Sequence, residues 1–298
     1  MGQPSVESLY EQVRAAVAVR VDDTVATVTP VAPGIRVLAL RTPTLPPAAH
    51  TNVYLVGPQG GPVAVVDPGS PYGDQQQVLD DELAKAGGVS RVLLTHHHGD
   101  HVGGAAVLAA RWRVPIAAHA NTQRRLAGRV EVTELVDDGD VIFTYAGGDA
   151  VAVFTPGHAD GHLCFEIGGA IIAGDMVAGI GTILIDPSEG DMALYLASLE
   201  KLRDRPQATL LPAHGPAIPD GHAKLTEYLA HRRMREVRVV AALDGTVAEL
   251  VARAYSDTPA VLWPLAERSL LAHLVKLERD GVAREVDGRW CKIAVSPL

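Results

Sequence analysis

Cysteine is scarce in this chain of 298 residues, with only Cys164 and Cys291. The two thiols are far apart in sequence, so a disulfide framework is not expected. Cys164 lies in the apolar run Leu163-Cys164-Phe165-Glu166-Ile167 and reads as a small buried hydrophobe without a chemical role. Long apolar stretches are missing as well: none approaches the roughly 20 residues needed to cross a bilayer. No cationic segment followed by an apolar one opens the chain. The expectation is a cytoplasmic protein with no membrane partner. Positive charge is also in short supply, at a net of −9. Residues 220–298 carry 12 Lys and Arg against 11 Asp and Glu, leaving 14 against 24 for the rest, a net of −10. Such an acidic balance argues against broad electrostatic binding of nucleic acid, although it leaves room for a local basic track.

What is present suffices for a large core, because 47% of the residues are hydrophobic. Pro30 to Pro33 and Pro43 to Pro47 read as turns or edge loops. Short apolar runs predict strands over 35–40, 52–56, 63–66, 91–94, 114–118, 141–143, 151–154, 163–167, 170–172 and 209–211. Helical patterns fall over 74–85, 105–112 and 192–204. Strands with helices interspersed predict an α/β fold of sheets flanked by helices. After Pro219 the character changes. Asp220 can cap a helix to about Leu243, Thr246 can cap a second to Tyr255, and 264–279 forms a third. A hairpin turning at Asp287-Gly288 follows. The expected organisation is therefore a catalytic domain over 1–219 and a compact C-terminal unit over 220–298.

The densest chemistry is Thr95-His96-His97-His98-Gly99-Asp100-His101. Four imidazoles and a carboxylate within six residues, on the loop leaving a predicted strand, suit zinc and, less selectively, manganese, iron or nickel. Three further segments each put one potential ligand just after an apolar strand, beside Gly or Pro: Thr155-Pro156-Gly157-His158, Ala173-Gly174-Asp175 and Leu211-Pro212-Ala213-His214-Gly215. Any one alone would more often be a solvated loop residue. Neighbouring side chains on an extended segment point opposite ways, so His97 reads as structural beside the two candidates that flank it. His162 is open between a substrate contact and a strand cap. His50, His119, His222, His231 and His273 read as ordinary surface or core histidines.

With these motifs in order, the chain resembles the metallo-β-lactamase superfamily of hydrolases over roughly residues 30–216. The resemblance implies a four-layer αβ/βα sandwich. It also implies that His96, His98 and His158 hold one metal, that Asp100, His101 and His214 hold a second, and that Asp175 bridges them. Asp67 matches the family's aspartate that supports the histidine loop, although a turn aspartate after a strand is the alternative. Two divalent ions, zinc foremost, roughly 3.5–4 Å apart would share a water, bring its pKa toward neutrality and present hydroxide to an electrophile. Asp100 and Asp175, the catalytic carboxylates of this reading, would balance charge and orient the ligands. No serine or cysteine nucleophile is then needed.

The stretch from Gly215 onward looks like that of the lactamase-β-like protein 2 family, whose C-terminal domain is winged-helix-like and whose members include an endoribonuclease acting on single-stranded RNA. Other superfamily relatives cleave thioesters. The substrate expected is therefore a small molecule or a single-stranded RNA, with a lean to RNA phosphodiesters and thioesters or lactones as the alternative. Without an export signal, a true β-lactamase is less expected. Arg232, Arg233, Arg235 and Arg238 share one helix and could touch phosphates. No aromatic residues alternate with them to stack bases, so salt links to Glu227, Glu236 or the acidic domain are the preferred reading. Rival classes are a non-haem iron redox enzyme on the same scaffold and a nucleic-acid-binding regulator with a structural metal. Nothing in the sequence fixes the oligomeric state.

Overall fold

The computed structural model describes residues 6–17, 26–145 and 148–293. Among the described residues, helix α1 (Val6–Ala16) precedes a sheet in which β1 (Thr29–Ala32), β2 (Ile35–Arg41), β3 (His50–Val56), β4 (Val63–Val66), β5 (Val89–Leu93), β6 (Ile116–Ala118) and β7 (Glu134–Leu135) lie side by side in that order. Pairing is antiparallel as far as β4 and parallel beyond it. Helices α2 (Gly73–Ala86), α3 (Gly99–Val102), α4 (Ala105–Trp112) and α5 (Ala120–Leu126) fill the crossovers. The second sheet comprises β8 (Val141–Tyr145), β9 (Gly148–Phe154), β10 (Leu163–Ile167), β11 (Ala170–Gly174) and β12 (Thr209–Pro212), with α6 (Met192–Arg203) between its last two strands.

The layering follows from side chains alternating across each strand. In β4, Val63 and Val65 face α2 and α4, whereas Ala64 and Val66 face the other sheet. In β10, Leu163, Phe165 and Ile167 meet that inner face, while Cys164 points outward into a cluster with Tyr195 and Leu199 of α6. Buried on both faces, the central strands read as continuous apolar runs, which is why they were legible as strands without alternation. The result is helix, sheet, sheet, helix, the αβ/βα sandwich.

Several local features depart from expectation. α1, α3 and α5 match none of the helices expected from the sequence. Pro30 lies within β1 and not in a turn; β1 is an edge strand whose register shifts between Pro30 and Ala32, where a missing N–H is tolerated.

The C-terminal unit comprises α7 (Gly221–Ala242), α8 (Val247–Ala254), a 3-10 turn at Ala260–Leu262, α9 (Trp263–Arg279) and the hairpin β13 (Ala283–Val286) with β14 (Arg289–Lys292). Asp220 accepts from Ala223 N at 2.9 Å, and Thr246 forms a reciprocal capping box with Glu249. Asp287 and Gly288 both take positive φ, 50° and 75°, as a tight hairpin turn requires. α7 serves both units. Its Leu225, Tyr228 and Leu229 pack outside the second sheet, and its Val239 and Ala242 join Leu250, Leu270, Leu274 and Trp290 in the C-terminal core. Arg268 of α9 clasps Asp186 through two bonds of 2.7 Å, and Arg279 pairs with Asp191, so α9 is tied to the loop before α6. No described helix is long and apolar enough to cross a membrane.

Candidate metal centre

Five strand ends converge at one edge of the sandwich. Asp67 follows β4, the histidine run follows β5, His158 follows β9, Asp175 follows β11 and His214 follows β12. Backbone bonds fasten these loops to one another: Leu163 N to Thr95 O (2.8 Å), Ala213 N to Gly174 O (3.0 Å) and Asn52 N to Ala213 O (2.8 Å). The packing leaves no room for side chains at two glycines. A Cβ on Gly69 would stand 1.7 Å from the Asp100 carbonyl oxygen, and one on Gly174 would meet His162 Nε2 at 2.6 Å.

Each of the five candidate imidazoles has one nitrogen anchored. His96 Nδ1 donates to Thr95 Oγ1 (3.0 Å), His98 Nε2 to Glu189 Oε1 (2.8 Å) and His158 Nδ1 to the Leu184 carbonyl (2.8 Å). His101 Nδ1 donates to Asp67 Oδ2 (2.8 Å) and His214 Nδ1 to the His50 carbonyl (3.0 Å). These partners assign the tautomers, because every one of them accepts. The other nitrogens are then lone pairs, and they face each other: His96 Nε2 to His98 Nδ1 at 2.8 Å, His98 Nδ1 to His158 Nε2 at 3.0 Å, and His158 Nε2 to His96 Nε2 at 3.3 Å. Facing lone pairs repel. Nitrogens on a tetrahedral zinc with 2.0–2.1 Å bonds would lie roughly 3.3 Å apart, so a cation resolves the repulsion.

Asp175 stands between two sets of ligand atoms. Its Oδ2 is 3.4 Å from His158 Nε2, and its Oδ1 is 3.6 Å from His101 Nε2 and 3.4 Å from His214 Nε2. Asp100 Oδ2 lies 3.5 Å from His214 Nε2 and 4.0 Å from His101 Nε2. The atoms within each of the sets His96, His98, His158, Asp175 and Asp100, His101, His214 lie within 4.8 Å of one another. His101 Nε2 and Asp175 Oδ1 are buried without a hydrogen-bond partner. Such orphaned polar atoms are costly unless a ligand satisfies them, and this donor set suits divalent cations.

The electrostatics differ from ligand to ligand, and in the first set His98 is raised by Glu189 in spite of its burial. Burial, with the neighbouring His101, His98 and His158, holds His96 well below its ordinary pKa, and burial with His98 brings His158 to about 4. Burial would lower His101 too, but Asp175, Asp100 and Asp67 outweigh it and raise the imidazole well above the usual value. His214 is raised in the same manner, chiefly by Asp175. Asp175 overcomes its burial and stays far below the carboxylate range because His214 and His101 face it. The carboxylates around His101 and His214 thus favour positive charge at the second set, as a bound cation would supply.

All seven candidate ligands thus come together. Asp67 accepts from Thr95 N (2.8 Å), Thr95 Oγ1 (2.6 Å) and His101, and so supports the histidine loop. His97 does not point away from His98 but meets the same carboxylate, at Glu189 Oε2 (3.0 Å), outside the two ligand sets above. His162 is fully buried; its Nε2 accepts from Asp175 N (3.1 Å) and its Nδ1 donates to Thr155 Oγ1 (2.9 Å), so it positions Asp175 and does not reach the cleft. Burial pushes the Cys164 thiol up to about 12, in keeping with a chemically silent residue. Sequence reading missed Glu189, whose carboxylate, held well below its ordinary range, binds His98 and His97 together. It also missed Asn52 and Tyr54, which donate to the Pro212 carbonyl and hold the His214 loop.

The ligand set opens into a cavity of about 450 Å³. Its walls include Pro43, Leu45, Pro47, Ile180, Ile183 and Leu265, which are apolar. Tyr10 of α1 and residues of the C-terminal unit also line it. The arginines of α7 are engaged, though not with Glu227 or Glu236: Arg233 pairs with Glu200, Arg235 and Arg238 share Asp257, and Arg232 donates to the Ile183 carbonyl. His231, expected to be an ordinary histidine, lines the cavity.

The model of the metallo-beta-lactamase superfamily matches residues 46–214, and that of the beta-lactamase associated winged helix domain matches residues 246–290. A beta-lactamase-like protein 2 homolog from Caenorhabditis elegans is 30% identical over 244 residues, 78% of this chain and 80% of that protein. An atrochrysone carboxyl ACP thioesterase from Paecilomyces divaricatus is 34% identical over 197 residues, 65% of this chain and 59% of its own. The chain spans less than two thirds of the length of such fungal relatives. Among solved structures, a beta-lactamase domain protein from Burkholderia ambifaria superposes with a TM-score of 0.80 at 22% identity, covering 92% of this chain and 95% of that one.

Proposed function

The chain belongs to the metallo-beta-lactamase superfamily of hydrolases, and from that premise we propose that it hydrolyses acyl thioesters with two divalent cations, zinc foremost, held by the seven residues above. The observation that carries this reading is the cavity of about 450 Å³ on the ligand atoms, whose walls are more apolar than polar and which suits a compact acyl chain better than a long polyanion. The thioesterase among the relatives supports it. A pair of cations there would supply Lewis acidity and a water ionised near neutral pH.

The chain's own residues do the rest. His96, His98 and His158 form one face and Asp100, His101 and His214 the other, with the two oxygens of Asp175 directed to both. Asp100 borders the cavity and is the group placed to take the proton released when water adds to the carbonyl. Collapse of the adduct then breaks the carbon–sulfur bond, and the thiolate leaves through the cavity mouth and is protonated. Asp67, Glu189 and His162 keep His101, His98 and Asp175, respectively, aligned.

RNA phosphodiester cleavage is the second reading, favoured by the likeness to the beta-lactamase-like protein 2 homolog. It ranks behind because the exposed arginines of α7, Arg233 and Arg238, are neutralised by Glu200 and Asp257. A parallel turnover screen of thioesters, lactones, β-lactams and single-stranded RNA, with the wild type and Asp100→Ala, tests the proposal. Thioester turnover that collapses in the variant supports it; RNA cleavage without thioester turnover, or thioester turnover indifferent to the substitution, overturns it.

A further inference from the structure

The cavity wall supplied by the C-terminal unit carries an unbalanced charge. Arg232, Arg235 and Tyr255 all line it and are only 4%, 6% and 6% exposed. Each keeps one buried donor without a partner: Arg232 Nε, Arg235 Nε and the Tyr255 hydroxyl. Asp257 is shared, at 2.9 Å from Arg235 and 2.5 Å from Arg238, so one carboxylate serves two guanidiniums. Arg232 has no carboxylate within ion-pair distance among the described residues. It donates to the Ile183 carbonyl and lies over the Tyr195 ring at 5.2 Å. The neighbouring His231 is held below its ordinary pKa by burial and by Arg232 and Arg235, as befits a spot already rich in positive charge.

A buried guanidinium without a counter-anion is expensive to maintain. Water can satisfy a hydroxyl or an N–H, but it cannot supply negative charge. The carboxylates across the cavity, Asp100 and Asp175, are committed to the histidine sets. In a chain of net charge −9, a surplus of cationic donors on one buried wall is out of keeping with the whole. Guanidinium donors match the planar oxygens of carboxylates and phosphates.

We propose that Arg232, Arg235 and Tyr255 form a subsite for an oxyanion group of the substrate, a carboxylate or a phosphate monoester, while the scissile bond lies at the histidine–aspartate centre. The inference rests on the thioester reading only for the statement that the anion belongs to a thioester. The preferred substrates are then acyl thioesters with a terminal charge, on either the acyl or the thiol side.

The test uses the full-length, metal-loaded protein and three substrates: the neutral butyryl N-acetylcysteamine thioester, its succinyl counterpart with a carboxylate on the acyl side, and butyryl phosphopantetheine with a phosphate on the thiol side. In the wild type, one anionic substrate should exceed the neutral one in kcat/KM by about ten-fold or more, as expected for a charge-assisted contact. Which of the two does so identifies the source of the anion. Arg232→Met should raise KM for that substrate at least about ten-fold more than for the neutral one. Tyr255→Phe, which removes a single hydroxyl, should erode the preference in the same direction and decides the matter if Arg232→Met does not fold. Equal treatment of all three substrates by the wild type, or a uniform loss across them in both variants, overturns the subsite. If no thioester is turned over, equilibrium dialysis with succinate and inorganic phosphate separates the two ideas. Anion binding weakened in the variants at unchanged metal content keeps the subsite and rejects the thioester reading; anion binding unaffected rejects the subsite.

Discussion

His101 Nδ1 donates to Asp67 Oδ2 at 2.8 Å, and that one bond fixes which nitrogen of His101 faces Asp175 and Asp100. Asp67 adopts a positive φ of 51° to make it, a conformation that Asn tolerates but most residues do not. The same carboxylate holds Thr95, so the start of the histidine loop and its last ligand share a support.

Asp67→Asn should therefore preserve the backbone while removing the negative charge and one acceptor. The expected result is a loss of about 10- to 100-fold in affinity for the metal at the Asp100, His101, His214 set, with a smaller effect at the other. Competition with a chromophoric chelator reads both affinities. Equal weakening at both sets would show that Asp67 supports the fold in general and not His101 in particular.

Glu189→Gln offers the complementary case. Glu189 accepts from both His98 and His97, and Gln can accept through only one of its two terminal atoms. We expect about ten-fold weaker binding at the His96, His98, His158 set and little change at the other. An unaltered first affinity would mean that His98 is oriented by packing alone.

The contrast between these two supports bears on what was legible in the sequence. Asp67 stands directly after the apolar run Val63–Val66, where a strand end and a turn are both readable, and its place beside the histidine loop was implied by the family resemblance alone. Glu189 reaches the site from 91 residues beyond His98. Its neighbours Pro187, Ser188, Gly190 and Asp191 look like any solvated turn. The ligands were legible because each follows a short apolar run, unbroken where a strand such as β11 is buried along its whole length. α1 was not, since its anchoring depends on the cavity rim, where Arg14 donates to the Pro43 carbonyl. The arginines of α7 read as a salt-linked face, yet Arg232 and Arg235 are buried; charge in a helix does not reveal what packs over it.

Removal of metal should lower stability as well as activity. Lone pairs that face each other at 2.8–3.3 Å and the orphaned His101 Nε2 become uncompensated without a cation. Cations held at 100 times Kd would contribute about 2.7 kcal/mol each. Thermal melts before and after exhaustive chelation should show a fall of several degrees that returns when zinc is added. A melting temperature indifferent to chelation would contradict the proposed ligand set.

Acid should loosen the joint between α9 and the loop before α6. Burial alone would raise the Asp186 carboxyl, but its bonds from Arg268 and Ser188 prevail and hold it below its ordinary value. A folded-state value below the unfolded one contributes stability above the unfolded pKa and loses it as pH falls through the folded pKa. Asp186→Asn, which leaves Arg268 without its carboxylate, should cost roughly 3 kcal/mol at neutral pH. The difference from wild type should be constant above about pH 5 and shrink below pH 4. A difference that widens on acidification would reverse the assigned sign.

The most direct measurement is metal content per chain, by inductively coupled plasma mass spectrometry on zinc-loaded and then dialysed protein, for the wild type and Asp175→Ala side by side. With Asp175 directed to both ligand sets, the account expects two ions per wild-type chain and one or fewer in the variant. A single ion in the wild type, or two retained by Asp175→Ala, would contradict a shared dinuclear centre.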